Sequence, residues 1–295
     1  MTLWKHYLRP QTIDDALKAL ASAQGSIAII AGGTDLMLDL QQGRHPPVDT
    51  LIDVTAIPSL HGLEVREGRL FIGAAVPLSQ IAASPLVRQH AQALAEATGM
   101  MAGPQVRNVA TLGGNVAHAL PAADGAMALL ALDAQAEIAS PRGRRWEPIV
   151  ALYRGPGESA LAADEILVGF HLPLASAGQA SAFRRVMRPQ GVALPVLNIA
   201  VWLAREGERL ADVRIAVGPF GPVPRRAQAA ENALRGQPFT PQALEAAREA
   251  LLQEARFRTS RYRATLEYRR HLAGILLQDA LSTAWKRAAI AQSRD

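Results

Sequence analysis

The chain contains no cysteine. That excludes disulfides, a thiol nucleophile, and any thiolate-held zinc or iron–sulfur cluster carried by this chain itself. Lysine is nearly absent too: Lys5, Lys18 and Lys286 are the only three, so 28 of the 31 basic residues are arginine. Aromatic residues make up 5% of the chain, too few for stacking platforms that hold nucleobases. The net charge of +5 therefore reads as an Arg- and Ala-rich composition, not as a nucleic-acid signal. No apolar run approaches the ~18 residues of a membrane span; Ala126–Leu132 has the length of a buried helix. Met1–Tyr7 lacks the apolar core of a targeting segment. A soluble, cytoplasmic chain is expected.

The 295 residues are 49% hydrophobic and 19% charged, enough for a real core and, by length, for two domains. Thr12 is placed to cap a helix running to about Ala21, with Asp14 and Asp15 in its first turn and Ile13, Ala16, Leu17 and Leu20 as its apolar stripe. Ser26–Ile30 and Thr50–Val54 read as strands, and Leu36–Gln42 as a helical turn. Leu63–Val65 and Leu70–Ile72 flank Glu67-Gly68-Arg69 as a hairpin. Pro85–Thr98 and Asp124–Leu132 read as helices, Ala134–Ala139 and Ile166–Leu172 as strands. The small-residue stretch between Pro173 and Ser181 marks a domain boundary. Beyond it, strands are expected at 182–187, 196–204 and 210–217. Helices are expected at 226–235, 241–254 and from Tyr262 to about Ala289. The fold class is α+β.

Two glycine-rich segments carry the chemistry. In Ile29-Ile30-Ala31-Gly32-Gly33-Thr34-Asp35-Leu36 a buried strand empties into paired glycines, a hydroxyl and a carboxylate. Glycines let backbone come close to a ligand, and successive exposed N–H groups make an anion-binding nest. An ordinary strand-to-helix turn is the alternative. Thr111-Leu112-Gly113-Gly114-Asn115 repeats the pattern, and Asp124 follows. Two phosphate-type loops suit a dinucleotide, with Asp124 either accepting from a ribose hydroxyl or capping its own helix. Neither segment reads Gly-x-Gly-x-x-Gly, and no Gly-Lys-Ser/Thr occurs, so the Rossmann and P-loop frameworks do not apply.

Ala31-Gly-Gly-Thr-Asp-Leu36 and Thr111-Leu-Gly-Gly-Asn-Val-Ala-His-Ala-Leu-Pro-Ala-Ala-Asp124 resemble the two FAD-binding signatures of the flavin (medium) subunit of molybdenum hydroxylases. That family includes the medium subunit of carbon monoxide dehydrogenase and the FAD domain of xanthine dehydrogenase. Asp164–Pro173 and Tyr262–Leu277 resemble further stretches of the same family, so the resemblance covers nearly the whole chain. It implies a vanillyl-alcohol-oxidase-type FAD-binding domain at 1–177, in two α/β subdomains of about 1–55 and 56–177. A C-terminal domain at 178–295 would follow, with a three-stranded antiparallel sheet and a helical bundle.

The resemblance also implies site residues. Ile29, Ile30, Ala31, Gly32, Gly33, Thr34, Asp35 and Leu36 would wrap the FAD pyrophosphate, with Thr111, Gly113, Gly114 and Asn115 closing the other side. Asp124 would hold the ribose, Leu167 would lie near the adenine or ribose and Met101 beside the flavin, and Arg184 or Arg185 would reach the flavin. Core packing is the alternative for Leu167 and Met101. A solvated strand face or a partner contact is the alternative for Arg184, Arg185 and Arg188. The loop Gln190–Pro195 lacks the aromatic residue some relatives place against the flavin. His118, inside the second motif, is a flavin-tuning or a packing histidine. No residue pattern points to covalent flavin attachment, so FAD is expected to be non-covalent. The resemblance implies no catalytic acid or base on this chain, and no metal. A large molybdopterin subunit and a small subunit with two [2Fe–2S] clusters would be partners in a heterotrimer or its dimer. Electrons would leave through FAD to an external acceptor. A self-contained flavoenzyme of the same superfold, and an adaptor that has lost its cofactor, are the competing readings.

Overall fold

The computed structural model describes residues 2–187 and 194–292; Arg188 and most of the Gln190–Pro195 loop lie outside them. The N-terminal portion is built from β1 (Trp4–Leu8), α1 (Ile13–Ser22), β2 (Ile27–Ile30), α2 (Leu36–Gln41) and β3 (Val48–Asp53). Its three strands pair in parallel in the order β1-β3-β2. Thr12 caps α1 as expected: its hydroxyl accepts from the Asp15 N–H at 3.0 Å, and Ile13, Ala16 and Leu20 are buried beneath. Because β2 is an edge strand, its C-terminal end opens at the sheet margin, where the first glycine motif begins.

The next portion opens with the hairpin β4 (Leu63–Arg66) and β5 (Arg69–Gly73). Its two turn residues, Glu67 and Gly68, both have positive φ, 49° and 71°, the geometry that matches strand twist in a two-residue turn. Six helices follow: α3 (Leu78–Ala83), α4 (Pro85–His90), α5 (Gln92–Met100), α6 (Pro104–Arg107), α7 (Leu112–Ala117) and α8 (Asp124–Ala131). Then come β6 (Gln135–Ser140), β7 (Gly143–Pro148), the small ribbon of β8 (Tyr153–Gly155) and β9 (Glu158–Ser159), and β10 (Ile166–Pro173). An antiparallel five-stranded sheet results, ordered β4-β5-β10-β6-β7. Central β10 is buried from Ile166 to Leu172, as expected for a strand covered on both faces.

The third sheet is β11 (Gln179–Met187), β12 (Pro195–Glu206), β13 (Arg209–Gly218) and β14 (Arg225–Arg226), followed by α9 (Gln228–Leu234), α10 (Pro241–Glu254) and α11 (Leu266–Gln292). It thus gains a short fourth strand over the three expected. α11 lies on one face of β11 and β12, while α5 and α8 pack on the other. Phe183, Ala200 and Ala216 consequently share one apolar cluster with Leu94, Met127 and Leu129.

Two helices depart from expectation. The stretch from Pro85 is broken at Ala91 (φ −143°, ψ 50°) into α4 and α5, and the Ser181 hydroxyl accepts the freed Ala93 N–H at 3.0 Å. α11 starts at Leu266, not Tyr262. Thr265 caps it through the Tyr268 N–H (3.2 Å), and residues 260–264 close their own turn. Among the described residues no helix is long and apolar enough to cross a membrane.

Glu96 on α5 ties the layers together. Its carboxylate accepts from the Phe183 N–H at 2.8 Å and from Arg287 of α11. Glu96→Ala leaves both donors without their acceptor, so urea denaturation should show a loss of roughly 1–3 kcal/mol.

Candidate functional site

β2 ends at Ile30, and the chain turns through Ala31–Asp35 into α2. No side chain caps this helix. The five backbone N–H groups of Gly32, Gly33, Thr34, Asp35 and Leu36 donate to no acceptor among the described residues. Consecutive undonated N–H groups concentrate partial positive charge and suit an anion with several oxygens.

Each glycine has its own reason. A Cβ on Gly32 would sit 2.0 Å from the Val109 carbonyl oxygen, so only glycine lets this turn rest on the segment leading to the second motif. Gly33 has φ +67°, a left-handed conformation that costs a residue with a Cβ roughly 1–2 kcal/mol. Its Cβ would meet Ile30 and Met37, not open space. Its requirement is therefore conformational.

The second motif is built differently. The Ala110 carbonyl accepts from the Leu78 N–H at 2.9 Å, and the Gly113 N–H donates to the Ala74 carbonyl at 2.9 Å. The Thr111 hydroxyl accepts the Gly114 N–H at 3.1 Å and so caps α7. A Cβ on Gly113 would lie 2.6 Å from the Ala74 oxygen. The N–H donors here are spent on the protein, so the two motifs are not equivalent phosphate loops: the first presents N–H groups, the second a firmly anchored wall. On that wall Gly114 is exposed, and its missing Cβ would meet only the Thr111 hydroxyl, at 3.1 Å. The Asn115 side-chain oxygen accepts the Gly125 N–H at 3.1 Å, joining α7 to the start of α8. A Cβ on Gly125 would come within 2.6 Å of that oxygen. His118 closes the C-terminal end of α7, half-buried.

Asp124 is the first residue of α8 and does not cap it. Its carboxylate pairs with Arg185 of β11 and accepts from the side-chain amide of Asn198 on β12. The Arg185 and Asp124 side chains are only 2% and 4% exposed. Burial pushes the Asp124 pKa up to about 6, against the opposing pull of Arg185 and of the Asn198 amide. Asn198 also donates to the Ala122 carbonyl at 3.0 Å. Sequence reading missed Asn198 and Gly125. The only trace of Asn198 was a lone amide in the apolar run Val196–Val201, and of Gly125 an Asp-Gly pair at a helix start.

Neighbouring side chains on a strand point to opposite faces, and Arg184 accordingly turns away from Arg185. It donates to Asp279 at 2.7 Å and Thr283 at 2.6 Å on α11. Met101 and Leu167 are buried in the apolar cluster of the central portion. Beside the first motif Ile29, Val106 and Val109 leave apolar surface exposed, a flank for a flat aromatic ring. The structure thus brings together the turn at 31–36 and the wall at 111–115, through Val109 and Ala110. Asp124 is joined to Arg185, and Arg184 stands apart. Among the described residues no group of three or more His, Cys, Asp or Glu side chains is placed to hold a metal ion.

Residues 3–175 match the family model described as the FAD binding domain in molybdopterin dehydrogenase, and residues 181–284 match the CO dehydrogenase flavoprotein C-terminal domain. The chain belongs to the FAD-binding subunits of the molybdenum hydroxylase family. It is 36% identical over 282 residues to a putative xanthine dehydrogenase FAD-binding subunit of Escherichia coli, covering 94% of this chain and 95% of that one. It is 35% identical to the nicotine 6-hydroxylase medium subunit of Paenarthrobacter nicotinovorans, covering 95% and 97%. Its fold superposes on carbon monoxide dehydrogenase from Hydrogenophaga pseudoflava with a TM-score of 0.91 at 29% identity, over 97% of this chain and 99% of that one. These relatives belong to oxidoreductase complexes, and the α+β class and flavoprotein architecture expected from sequence are those observed.

The Asp124–Arg185 pair allows a direct check. Replacing either partner alone, Asp124→Ala or Arg185→Met, leaves the other charge buried and should cost about 3–5 kcal/mol in chemical denaturation. The double variant should lose clearly less than the two single losses combined.

Proposed function

We propose that this chain holds FAD non-covalently as the electron-transfer subunit of a molybdenum-dependent hydroxylase. Electrons reach it from [2Fe–2S] clusters on a small partner subunit and leave to an external acceptor, while a large molybdopterin subunit handles the substrate. The observation that carries the reading is the run of undonated N–H groups at Gly32–Leu36, a donor set fitted to a pyrophosphate. The bound flavin supplies the redox chemistry, and the protein supplies position and electrostatics.

The residues divide that work. Gly32–Leu36 hold the pyrophosphate, with Ile29 and Ile30 leading into the turn. Thr111 and Gly113 anchor α7, so that Gly114 and Asn115 form a wall against which the cofactor lies. Asp124 acts as a positioning group: engaged by Arg185 and Asn198, it ties the wall to the C-terminal sheet and bears on the cofactor through them. Leu167 and Met101 support the site from the core. Arg184 belongs to the α5–α11 junction. We divide the chain into a flavin domain at 1–177 and a C-terminal domain at 178–295, and assign it to the cytoplasm.

The zero cysteine count takes on meaning here, since the clusters that feed this flavin must then sit on another chain. The purified chain should be yellow, with about one FAD per chain. It should turn over little on its own and recover activity when the molybdenum and iron–sulfur subunits are added. Full turnover of a small substrate by the isolated chain would overturn the electron-transfer reading. Gly114→Ala should leave stability within about 1 kcal/mol of the parent. It should weaken FAD binding about tenfold, since its methyl group projects from the wall; fluorescence titration of the apoprotein measures this.

A further inference from the structure

The strap joining α10 to α11 holds a concentration of charge that the flavin site does not use. Between Ala255 and Leu266 it carries Arg256, Arg258, Arg261 and Arg263 and no acidic residue; in the opening turns of α11 Arg269 and Arg270 follow, with one exposed carboxylate, Glu267, before them. Among the described residues none of these six forms an ion pair. Elsewhere arginine is routinely paired, as in Arg226–Glu231 and Arg145–Glu165. All but Arg269 are exposed.

Arg269 is the exception that makes the patch a site. It is 2% exposed, and its Nε is enclosed with no acceptor. Three effects oppose a lone cation there. Burial holds its pKa below the ordinary arginine range, and Arg263 and Arg258 nearby push the same way. Its position in the first turn of a 27-residue helix sets it against the positive end of the helix dipole. Uncompensated buried charge is rare in folded proteins because desolvation costs so much. An anion seated among Arg258, Arg263 and Arg269 offsets all three by supplying the opposite charge. Tyr262 and Tyr268, 73% and 47% exposed, flank the patch, and exposed tyrosine beside arginine is the composition of protein-binding hot spots.

We propose that this strap and the first turns of α11 are a docking surface for an acidic segment of a partner chain, one carboxylate of which seats between Arg258, Arg263 and Arg269. The inference rests on the reading that the chain works within a complex. It does not depend on which residues hold the flavin, because the strap shares none of them.

The test uses the full chain at low salt, with a hexaglutamate peptide as probe and thermal denaturation as readout. The peptide should raise the midpoint, and hexaglutamine should not. Arg258→Ser/Arg263→Ser should weaken the apparent affinity about tenfold or more, and should leave the basal midpoint no lower than the parent's because it removes two cations that repel Arg269. Arg269→Met should raise the basal midpoint, because it removes an unpaired buried charge, and should abolish the peptide response. In co-expression with the partner subunits both variants should recover less assembled complex while keeping the parent FAD content. A parent chain without FAD would instead count against the function proposed above and leave the peptide arms standing. An equal midpoint rise with inorganic phosphate, or with oligothymidine of matched charge, would replace the acidic segment by a free anion or a nucleic acid. A lowered basal midpoint in Arg269→Met with an intact peptide response would make Arg269 a structural residue, and would overturn the proposal.

Discussion

At Gly32 the backbone lies against the Val109 carbonyl so closely that no side chain fits between them. The site depends on that contact. It brings a turn leaving a parallel sheet onto a segment fastened to an antiparallel one, and so makes one cleft margin from two separately folded layers. The neighbouring contacts reinforce it. Gly113 lies on the Ala74 carbonyl, and Gly125 on the Asn115 side chain. Three of these close approaches are protein on protein. The glycine pairs look like ligand-cradling devices in sequence, yet much of their work is to let the chain approach itself. What stays open is the N–H row of the first turn and the face at Gly114, the groups proposed to meet the cofactor.

A second set of constraints holds the C-terminal sheet against this cleft, and it is polar. Asp124, Arg185 and Asn198 form a buried group across α8, β11 and β12. Glu96, Arg184 and Arg287 form a second, half-buried group across α5, β11 and α11. Apolar packing supplies most of the attraction between such layers but is indifferent to register. Buried hydrogen-bonded charges add the directionality that fixes how β11 sits on the helices. The alternation of Arg184 and Arg185 along one strand lets a single Arg-Arg pair serve both groups.

The parts of this architecture set by local rules were legible in the sequence. Thr12 and its acidic first turn announced α1, Glu67-Gly68 announced the hairpin, and the two Gly-Gly motifs announced the family. The parts set by distant partners were not. The break at Ala91 depends on Ser181, about ninety residues away, and the late start of α11 depends on Thr265 and the turn before it. Asp124 read equally well as a ribose ligand or a helix cap, because neither Arg185 nor Asn198 is near it in sequence. The resemblance of the two motifs suggested two equal phosphate loops. Only the hydrogen-bond accounting separates the turn with donors to spare from the one whose donors are spent.

We propose that the undonated N–H groups of Gly32–Leu36 are what the FAD pyrophosphate binds. Amide hydrogen exchange, followed by mass spectrometry with and without FAD, addresses those groups themselves. Strong slowing of exchange across residues 32–36 on FAD addition, well beyond that in the hydrogen-bonded 111–115 segment, is the result expected. Unchanged exchange at 32–36 in a chain that demonstrably holds FAD would contradict it.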